Sequence, residues 1–258
     1  MALLLVDIGN TRIKWARLSG DRLGRSRAAV HSSWSPADYA RRLFGASRPE
    51  RVLVSSVAAR DVNRSLSRAA RRARVPVHFV RVARRAGGVT VGYTDPWRLG
   101  VDRFLGAIGA HRLFRGIAVC VVAVGTAMTI DLVGGDGRHR GGVIVPAPQL
   151  MVDALLERTS GIRRRAHGGG AGTSGLFGRS TRAAIIQGSR YAAASLIDRA
   201  VQEARALVGR RPLVVLTGGE APALRGLLQS ACVAVPDLVL RGLAILAAEP
   251  GAGPPSLH

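Results

Sequence analysis

An aspartate followed by a glycine-containing turn lies near the N-terminus, between two apolar runs. The segment Leu3–Lys14 reads LLLVDIGNTRIK, so Asp7 follows the first run and Gly9-Asn10-Thr11 precedes the second. Backbone N–H groups and a hydroxyl on such a turn can bind phosphate, and the carboxylate can hold Mg²⁺ through water. An ordinary β-hairpin turn fits as well, because Asn and Gly tolerate positive φ. Taken alone, the segment leaves both interpretations open.

The same order of strand, glycine turn and strand returns in the middle of the chain. Ile117–Val124 predicts a strand, Gly125–Ala127 a turn and Met128–Val133 a second strand, and Gly141–Val145 closes a three-stranded meander. A repeated half of the fold explains this recurrence. Two α/β halves, each with a turn that can bind phosphate, predict a nucleotide in a cleft between them. We place the boundary near Gly116.

Apolar periodicity predicts the elements that position these turns. Further strands are expected at about 28–31, 52–55, 77–80 and 213–216, and helices at about 36–44, 61–74, 104–114, 149–157, 182–208, 221–230 and 238–248. Ser35 is the expected N-cap of the first helix, with Pro36 at its first position. The stretch Arg163–Gly175 is predicted to be a mobile loop, and the tail from Glu249 to be disordered.

The formal net charge is +22, from 38 basic and 16 acidic residues. A charge of this size suggests nucleic acid or another anionic surface. However, Lys14 is the only lysine, the arginines are dispersed over nearly the whole chain, and no aromatic residues interleave with them. We therefore expect attraction for anionic substrates such as ATP, and no specific binding of nucleic acid.

The sequence shows no membrane or secretion signal. No apolar run approaches the roughly 20 residues of a membrane-spanning helix, and no cleavable signal peptide is recognisable. Cys120 and Cys232 lie in apolar runs and predict buried thiols in a reducing compartment. The histidines lack ligand spacing, so no structural zinc is expected. These features predict a cytoplasmic protein.

Six short segments follow one another in a recognisable order. They are Asp7–Thr11 with Lys14; Tyr93 and Pro96 with Leu99–Arg103; Gly125–Asp131; Gly141–Pro146; Gly178–Thr181; and Leu216–Ala221. Each is weak alone, but together, from Leu4 to about Leu246, they resemble the type III pantothenate kinases of the acetate and sugar kinase/Hsp70/actin superfamily. The resemblance implies an α/β fold of two ribonuclease H-like (actin-like ATPase) domains, 1–116 and 117–258, flanking a nucleotide cleft.

The resemblance also implies a reaction, the transfer of the ATP γ-phosphoryl group to the primary hydroxyl of pantothenate at the first step of coenzyme A biosynthesis. Asp102 would be the catalytic base that orients this hydroxyl and accepts its proton. Other roles for Asp102 are a salt bridge to Arg103 or the cap of a helix starting at Phe104. Arg103 would pair with the pantothenate carboxylate, although it also fits a solvated arginine.

The remaining implied contacts divide between the two substrates. ATP would be bound by Asp7, Ile8, Gly9, Asn10, Thr11, Arg12, Ile13, Lys14 and Thr126, and pantothenate by Tyr93, Gly100, Val101, Asp102, Arg103 and Thr181. Asp7 would also hold Mg²⁺ through water, and the compact ammonium of Lys14 suits a place between phosphate oxygens. Tyr93 could instead pack on Trp97, and Thr181 could cap its helix. Asp131 is expected to be structural or to support the site indirectly.

One position departs from the family pattern. Many members carry an aspartate three residues before the threonine of the third segment, where it is said to bind a monovalent cation. Ala123 stands there in this chain, and its side chain has no ligand atom. The enzyme therefore either does not need the cation or uses another counter-charge, which makes K⁺ or NH₄⁺ a doubtful cofactor. The resemblance implies a homodimer. Two other functions stay open: a non-catalytic regulatory accessory factor of the same fold and, because of the charge, a nucleic-acid-binding protein.

Overall fold

The computed structural model describes residues 2–45, 48–167 and 175–249. Within these ranges, no helix is both long and apolar enough to cross a lipid bilayer. The chain divides into two compact units. The first comprises the residues up to Arg115, the short segment Gly137–Arg140 and the residues from Asp237 onward, and the second comprises Gly116–Asp136 and Gly141–Pro236.

Most of the strands belong to two sheets of similar plan. The strands are β1 (Ala2–Ile8), β2 (Arg12–Ser19), β3 (Arg22–Leu23), β4 (Arg27–Val30), β5 (Arg51–Ser56), β6 (Val77–Phe79), β7 (Arg85–Ala86), β8 (Val89–Thr90), β9 (Val119–Val124), β10 (Ala127–Val133), β11 (His139–Pro146), β12 (Leu213–Thr217) and β13 (Cys232–Ala234). One sheet has the order β3-β2-β1-β5-β6, with β4 also paired to β2, and the other has the order β11-β10-β9-β12-β13. In each sheet, an antiparallel hairpin is extended on one side by two parallel strands. The repeat predicted from the sequence is therefore confirmed in the sheet order.

The helices cover these sheets. They are α1 (Pro36–Tyr39), α2 (Arg60–Arg72), α3 (Val101–Leu113), α4 (Pro148–Arg158), α5 (Ser160–Ala166), α6 (Thr181–Val208), α7 (Ala221–Arg225) and α8 (Leu238–Ala248). Ser35 caps α1 as predicted, and its side chain forms a capping box with Asp38. The helix then continues as a π-helical turn over Ala40–Phe44.

The first sheet has an apolar layer on each face. Because side chains alternate along a strand, Leu4, Val6 and Ile8 of β1 pack with residues of α1 and α2 on one face. Leu5 points the other way, into a cluster that contains Leu105 of α3 together with Leu240 and Leu243 of α8. The start of β1 thus fixes which face of the sheet α3 and α8 cover.

Two glycines bring α3 and α8 close together. A Cβ atom on Gly242 would lie 2.1 Å from the carbonyl oxygen of Leu105, and one on Gly109 would lie 2.6 Å from the carbonyl oxygen of Leu238. Only glycine allows this approach of the two backbones. This packing explains why α8 groups with the first unit, whereas the predicted domain boundary assigned it to the second domain.

Several predicted element limits were wrong. Helix α3 starts at Val101 and not at Phe104, α7 ends at Arg225 and not at Ser230, and strand β13 was not predicted. Part of the predicted mobile loop is helical, because α5 extends to Ala166, while 168–174 lie outside the described residues. The tail was expected to be disordered from Glu249, but Gly87 N donates to the carboxylate of that residue at 2.9 Å; 250–258 lie outside the description.

Both cysteines are free thiols. Cys120 is buried and Cys232 is half-buried. Burial, and then the nearby charge of Asp131, raise the pKa of the Cys120 thiol to about 12, so it stays protonated at neutral pH. The predicted buried thiol is therefore confirmed for Cys120, whereas Cys232 is less buried than predicted.

Candidate active site

Three polar residues stand side by side on one face of the first sheet. Asp7 on β1 lies opposite Lys14 on β2 and opposite Ser55 on β5. Asp7 is two residues from Leu5, and side chains two apart share a face, so Asp7 lies on the face covered by α3 and α8. Alternation also puts Lys14 with Ala16, and Ser55 with Leu53, on this face. The three polar groups therefore lie at the edge of the apolar cluster, near the carboxyl end of β1.

The carboxyl group of Asp7 is easier to protonate than an ordinary aspartate. The pKa of Asp7 is raised from its ordinary value of 3.8 to about 6, and burial is the largest cause. The negative charges of Asp102 and Asp237 contribute to this increase, while Ser55 and Lys14 oppose it. Ser55 Oγ is buried without a well-aligned hydrogen bond, although it lies close enough to influence Asp7. The first unit therefore concentrates three carboxylates near one ammonium group.

The turn after Asp7 presents exposed side chains on a braced backbone. Gly9 N donates to Arg12 O at 2.9 Å, and Asn10, Thr11 and Arg12 are exposed. The buried ring of His31 contacts the backbone of this turn, with its Nε2 2.8 Å from the carbonyl oxygen of Gly9. Because a carbonyl oxygen can only accept a hydrogen bond, Nε2 carries the proton. Neither Gly9 nor Asn10 has positive φ. The turn thus does not use the left-handed backbone that the ordinary hairpin interpretation invoked.

Asp102 lies in the first turn of α3. The N-cap is Gly100, and Asp102 Oδ1 accepts a hydrogen bond from the backbone N of Arg103 at 2.8 Å. A Cβ atom on Gly100 would lie 2.6 Å from this oxygen, so glycine leaves room for the carboxylate. Since α3 starts at Val101, Asp102 does not cap a helix from Phe104, and that alternative is wrong. A carboxylate here is favoured by the positive end of the helix dipole.

Arg103 and Tyr93 are in direct contact. Arg103 is only 7% exposed, its Nη1 donates to Tyr93 Oη at 3.2 Å, and its guanidinium lies 5.8 Å from the centre of the Tyr93 ring. It is therefore not a solvated arginine. The ring of Tyr93 lies 5.6 Å from the ring of His139, whereas Trp97, the alternative packing partner, is 71% exposed. The two implied pantothenate contacts thus form one rigid pair.

Arg84 holds the loop that carries Tyr93. Its Nη1 donates to Tyr93 O at 2.7 Å, and its Nη2 donates to Thr94 O at 2.6 Å. Sequence analysis did not single out Arg84 among 37 arginines, because nothing in its neighbours along the chain distinguishes it. Its role depends on the fold of the loop.

Lys14 has a partner from the far end of the chain. Its Nζ lies 3.7 Å from Oδ1 of Asp237, whose Oδ2 accepts a hydrogen bond from Ser26 Oγ at 2.6 Å. Asp237 was likewise missed, because it belongs to none of the six segments. Ser55 and His31 were missed for the same reason.

The turn of the second unit carries Thr126. Thr126 is exposed between β9 and β10, where Gly125 N donates to Ala127 O at 3.0 Å. The loop after β12 packs directly on this region, because a Cβ on Gly218 would lie 2.2 Å from the carbonyl oxygen of Val124. Thus the third and sixth segments, which are far apart in sequence, meet within the second unit.

Thr181 is the first residue of α6. The cap of this helix is Ser180, whose side chain accepts a hydrogen bond from Ala183 N at 3.1 Å. The suggestion that Thr181 caps the helix is therefore wrong. Its hydroxyl is not needed as a cap, which suits a ligand contact.

The described residues contain no group of three or more His, Cys, Asp or Glu side chains that could hold a metal ion. Mg²⁺ does not need such a group, because it commonly keeps several waters and binds one or two carboxylates together with substrate phosphates. Asp7, with its carboxylate at the end of the apolar layer and the charge of Asp102 near it, fits this mode of binding. The residues present therefore fit a magnesium ion that arrives with a nucleotide.

Comparison with solved structures defines the class of protein. The chain superposes with a TM-score of 0.54 on a putative 2-dehydro-3-deoxygalactonokinase from Sinorhizobium meliloti, at 14% identity and covering 95% of this chain and 97% of the other. It also superposes with a TM-score of 0.58 on a putative Baf family transcriptional activator from Campylobacter jejuni, at 19% identity and 95% and 97% coverage. These likenesses, together with the two repeated sheets, define a two-domain actin-like ATPase and sugar kinase fold.

Sequence comparison narrows this class to one family. The family model described as type III pantothenate kinase matches residues 3–203. A protein of that description from Nitrosococcus oceani is 34% identical to this chain. The alignment covers 96% of this chain and 94% of the relative. The chain therefore belongs to the type III pantothenate kinase family.

Proposed function

We propose that Asp102 is the general base of the pantothenate kinase reaction that this chain catalyses. The activity itself, phosphorylation of pantothenate with ATP in coenzyme A biosynthesis, follows from membership of the family. The observation that supports the residue assignment is that Asp102 lies at the start of α3 directly before Arg103, which is in contact with Tyr93. A carboxylate is thus adjacent to a buried guanidinium on one rigid helix.

Arg103 is the proposed partner of the pantothenate carboxylate. A planar guanidinium can donate two parallel hydrogen bonds to a carboxylate, and burial of the group strengthens such a pair. Tyr93 and Arg84 keep the guanidinium in place before the substrate arrives. Gly100, Val101 and Thr181 are the remaining proposed pantothenate contacts.

The turn from Asp7 to Lys14 in the first unit is the proposed holder of the ATP phosphates, and Thr126 in the second unit is proposed separately as an ATP contact. The exposed Asn10 and Thr11 present an amide and a hydroxyl, and the ammonium of Lys14 adds positive charge. Asp7 is the proposed ligand of Mg²⁺ through water, and the ion would supply charge neutralisation for the phosphates.

The main task of the protein in this reaction is to align the hydroxyl of pantothenate with the γ-phosphate of ATP. The primary hydroxyl oxygen of pantothenate forms a bond to the γ-phosphorus, the bond from that phosphorus to the β–γ bridging oxygen breaks, and ADP leaves with the electron pair. The hydroxyl proton passes to the Asp102 carboxylate as the new bond forms. Holding both substrates in line supplies a large part of the rate.

Four further properties complete the proposal. We expect a homodimer, as the family resemblance implies, and a cytoplasmic location, as the sequence features predict. We expect no requirement for K⁺ or NH₄⁺, because Ala123 offers no ligand. We expect no specific nucleic-acid partner, since the charge of +22 is spread over dispersed arginines. No observation favours the accessory-factor function over catalysis.

The test is a coupled kinase assay on Asp102→Asn. The amide keeps the shape but accepts no proton, so we expect turnover to fall by about a hundredfold or more while ATP binding persists. Asp95→Asn is the matched control, because Asp95 is an exposed aspartate that precedes a short helical turn in the same unit and pairs with Arg98. Wild-type turnover in Asp102→Asn would remove Asp102 from the role of base.

A further inference from the structure

Asp237 has an unusual backbone at the start of α8. Its φ of 59° and ψ of 30° are left-handed, and among the described residues Arg74 is the other non-glycine residue with positive φ. Such a conformation carries a cost for most residues and persists where the surroundings hold it, although Asp and Asn tolerate it best. An explanation for Asp237 should therefore be found in its contacts.

The carboxylate of Asp237 is not used to cap α8. No side-chain hydrogen bond from Asp237 to the helix is formed, although Asp237 is the N-cap residue. The two oxygens are directed elsewhere: Oδ2 accepts from Ser26 Oγ at 2.6 Å, and Oδ1 lies 3.7 Å from Lys14 Nζ. The left-handed backbone thus serves a contact with the hairpin and not the usual cap.

The backbone of α8 next to Asp237 is packed tightly against α3. The next residue, Leu238, packs its carbonyl against Gly109 of α3, and Gly242 one turn later packs against Leu105. Lys14 itself is on the central hairpin of the sheet, with its side chain 29% exposed against 22% for Asp237. A flexible lysine chain is therefore tied at its tip to a fixed carboxylate.

The charge of Asp237 also acts on Asp7 in the candidate site. Its charge is one of those that raise the pKa of Asp7, as is the charge of Asp102, whereas the charge of Lys14 lowers it. All four groups belong to the first unit. The Lys14 ammonium consequently lies near several carboxylates. The direction in which the Lys14 side chain points depends on which carboxylate forms an ion pair with it.

We propose that Asp237 is a positioning residue that holds the Lys14 ammonium in place for the phosphates of ATP, with Ser26 fixing the Asp237 carboxylate. The inference rests on the proposed role of Lys14 as a phosphate contact. A free lysine side chain samples many rotamers, and binding phosphate would require it to lose that freedom. The contact with Asp237 restricts those rotamers before ATP binds, which lowers the entropy lost on binding.

The experiment is a double-mutant cycle on KM for ATP, measured in the pantothenate kinase assay. Asp237→Asn keeps a residue that tolerates the left-handed backbone and removes the charge. We expect KM for ATP to rise about fivefold, in line with the loss of one partly exposed ion pair, with KM for pantothenate unchanged. Asp61→Asn is the matched control, since it breaks an exposed ion pair with Arg64 on α2 and should leave KM for ATP unchanged.

The cycle separates positioning from a purely structural role. In a Lys14→Met background, Asp237→Asn should add no further increase in KM for ATP, because the residue through which it acts is gone. An unchanged KM in Asp237→Asn, or an increase that persists undiminished in the Lys14→Met background, would overturn the proposal. If Lys14→Met itself leaves KM for ATP unchanged, the proposed role of Lys14 fails, and that result is distinct from a failure of Asp237 alone.

Ser26→Ala provides a second variant that leaves the backbone of Asp237 untouched. It removes the hydrogen bond to Oδ2, so we expect a rise of about twofold in KM for ATP, which should also vanish in the Lys14→Met background. This variant decides the question if Asp237→Asn does not fold. No change in Ser26→Ala alone would then contradict the proposal.

Discussion

The two hairpins of this chain share a frame and differ in the side chains placed on it. In the first unit β1 pairs antiparallel with β2 and parallel with β5, and in the second β9 pairs antiparallel with β10 and parallel with β12. Asp7 precedes the last paired residue of β1, just as Ala123 precedes the last paired residue of β9. The neighbours of Asp7 are Lys14 and Ser55, whereas those of Ala123 are Thr129 and Thr217.

The comparison shows where the chemistry resides. The three equivalent register positions hold a carboxylate, an ammonium group and a hydroxyl in the first unit. In the second unit they hold a methyl group and two hydroxyls. The first turn is also longer, with Gly9 to Arg12 between its paired ends, against Gly125 to Ala127 in the second. The backbone plan is therefore shared, and the side chains at three positions make the first hairpin the charged one. Function depends on such positions more than on the fold.

Neutralising the charged hairpin should have the largest effect. We expect Asp7→Asn to lower turnover by about a hundredfold or more, because the proposed ligand of Mg²⁺ is lost. The coupled assay at saturating pantothenate measures this, with Asp21→Asn as the control, since Asp21 is exposed in the turn after β2. If Asp7→Asn turns over normally, the first hairpin is not the magnesium holder.

The pH dependence of stability should follow from the same residue. The folded pKa of Asp7, about 6, lies above its ordinary value of 3.8, so its contribution to stability is fully present below about pH 4 and is lost as the pH rises through 6. Asp7→Asn should therefore be more stable than wild type by up to about 3 kcal/mol at pH 7.5, with the difference shrinking towards pH 4. Urea unfolding at several pH values measures this difference. A difference that does not vary with pH would show that the carboxylate is not the cause.

Adding a charge to the second hairpin should have the smallest effect. Ala123→Asp places a carboxylate on a half-buried position, so we expect a loss of about 1–2 kcal/mol in stability, and a kinase rate that now increases with K⁺. The wild-type rate should be insensitive to K⁺. Ala127→Asp is the matched control, because the same substitution at an exposed position of the same turn should leave stability nearly unchanged. A strong K⁺ requirement in the wild type would show that another group replaces the missing aspartate.

Much of the local structure could be predicted from the sequence. The hairpins, the cap at Ser35 and the long helix α6 were predicted because alternation, cap residues and helical periodicity are encoded by neighbouring residues. The limits of α3 and α7 were predicted wrongly, because the ends of helices depend on packing as well as on local preference. The error at α3 mattered most, since it placed Asp102 outside the helix that carries it.

The sequence by itself singled out Asp7 on its hairpin and Lys14 as the only lysine, and its resemblance to the kinase family added Asp102 and Arg103. Only the tertiary structure decided how they act together. It joined Arg103 to Tyr93, raised the pKa of Asp7 by burying it, and brought Asp237 from the other end of the chain to Lys14. The physical reason is that these effects depend on how α3 and α8 pack on the sheet, and the close approach at Gly109 and Gly242 that fixes this packing joins residues distant in sequence.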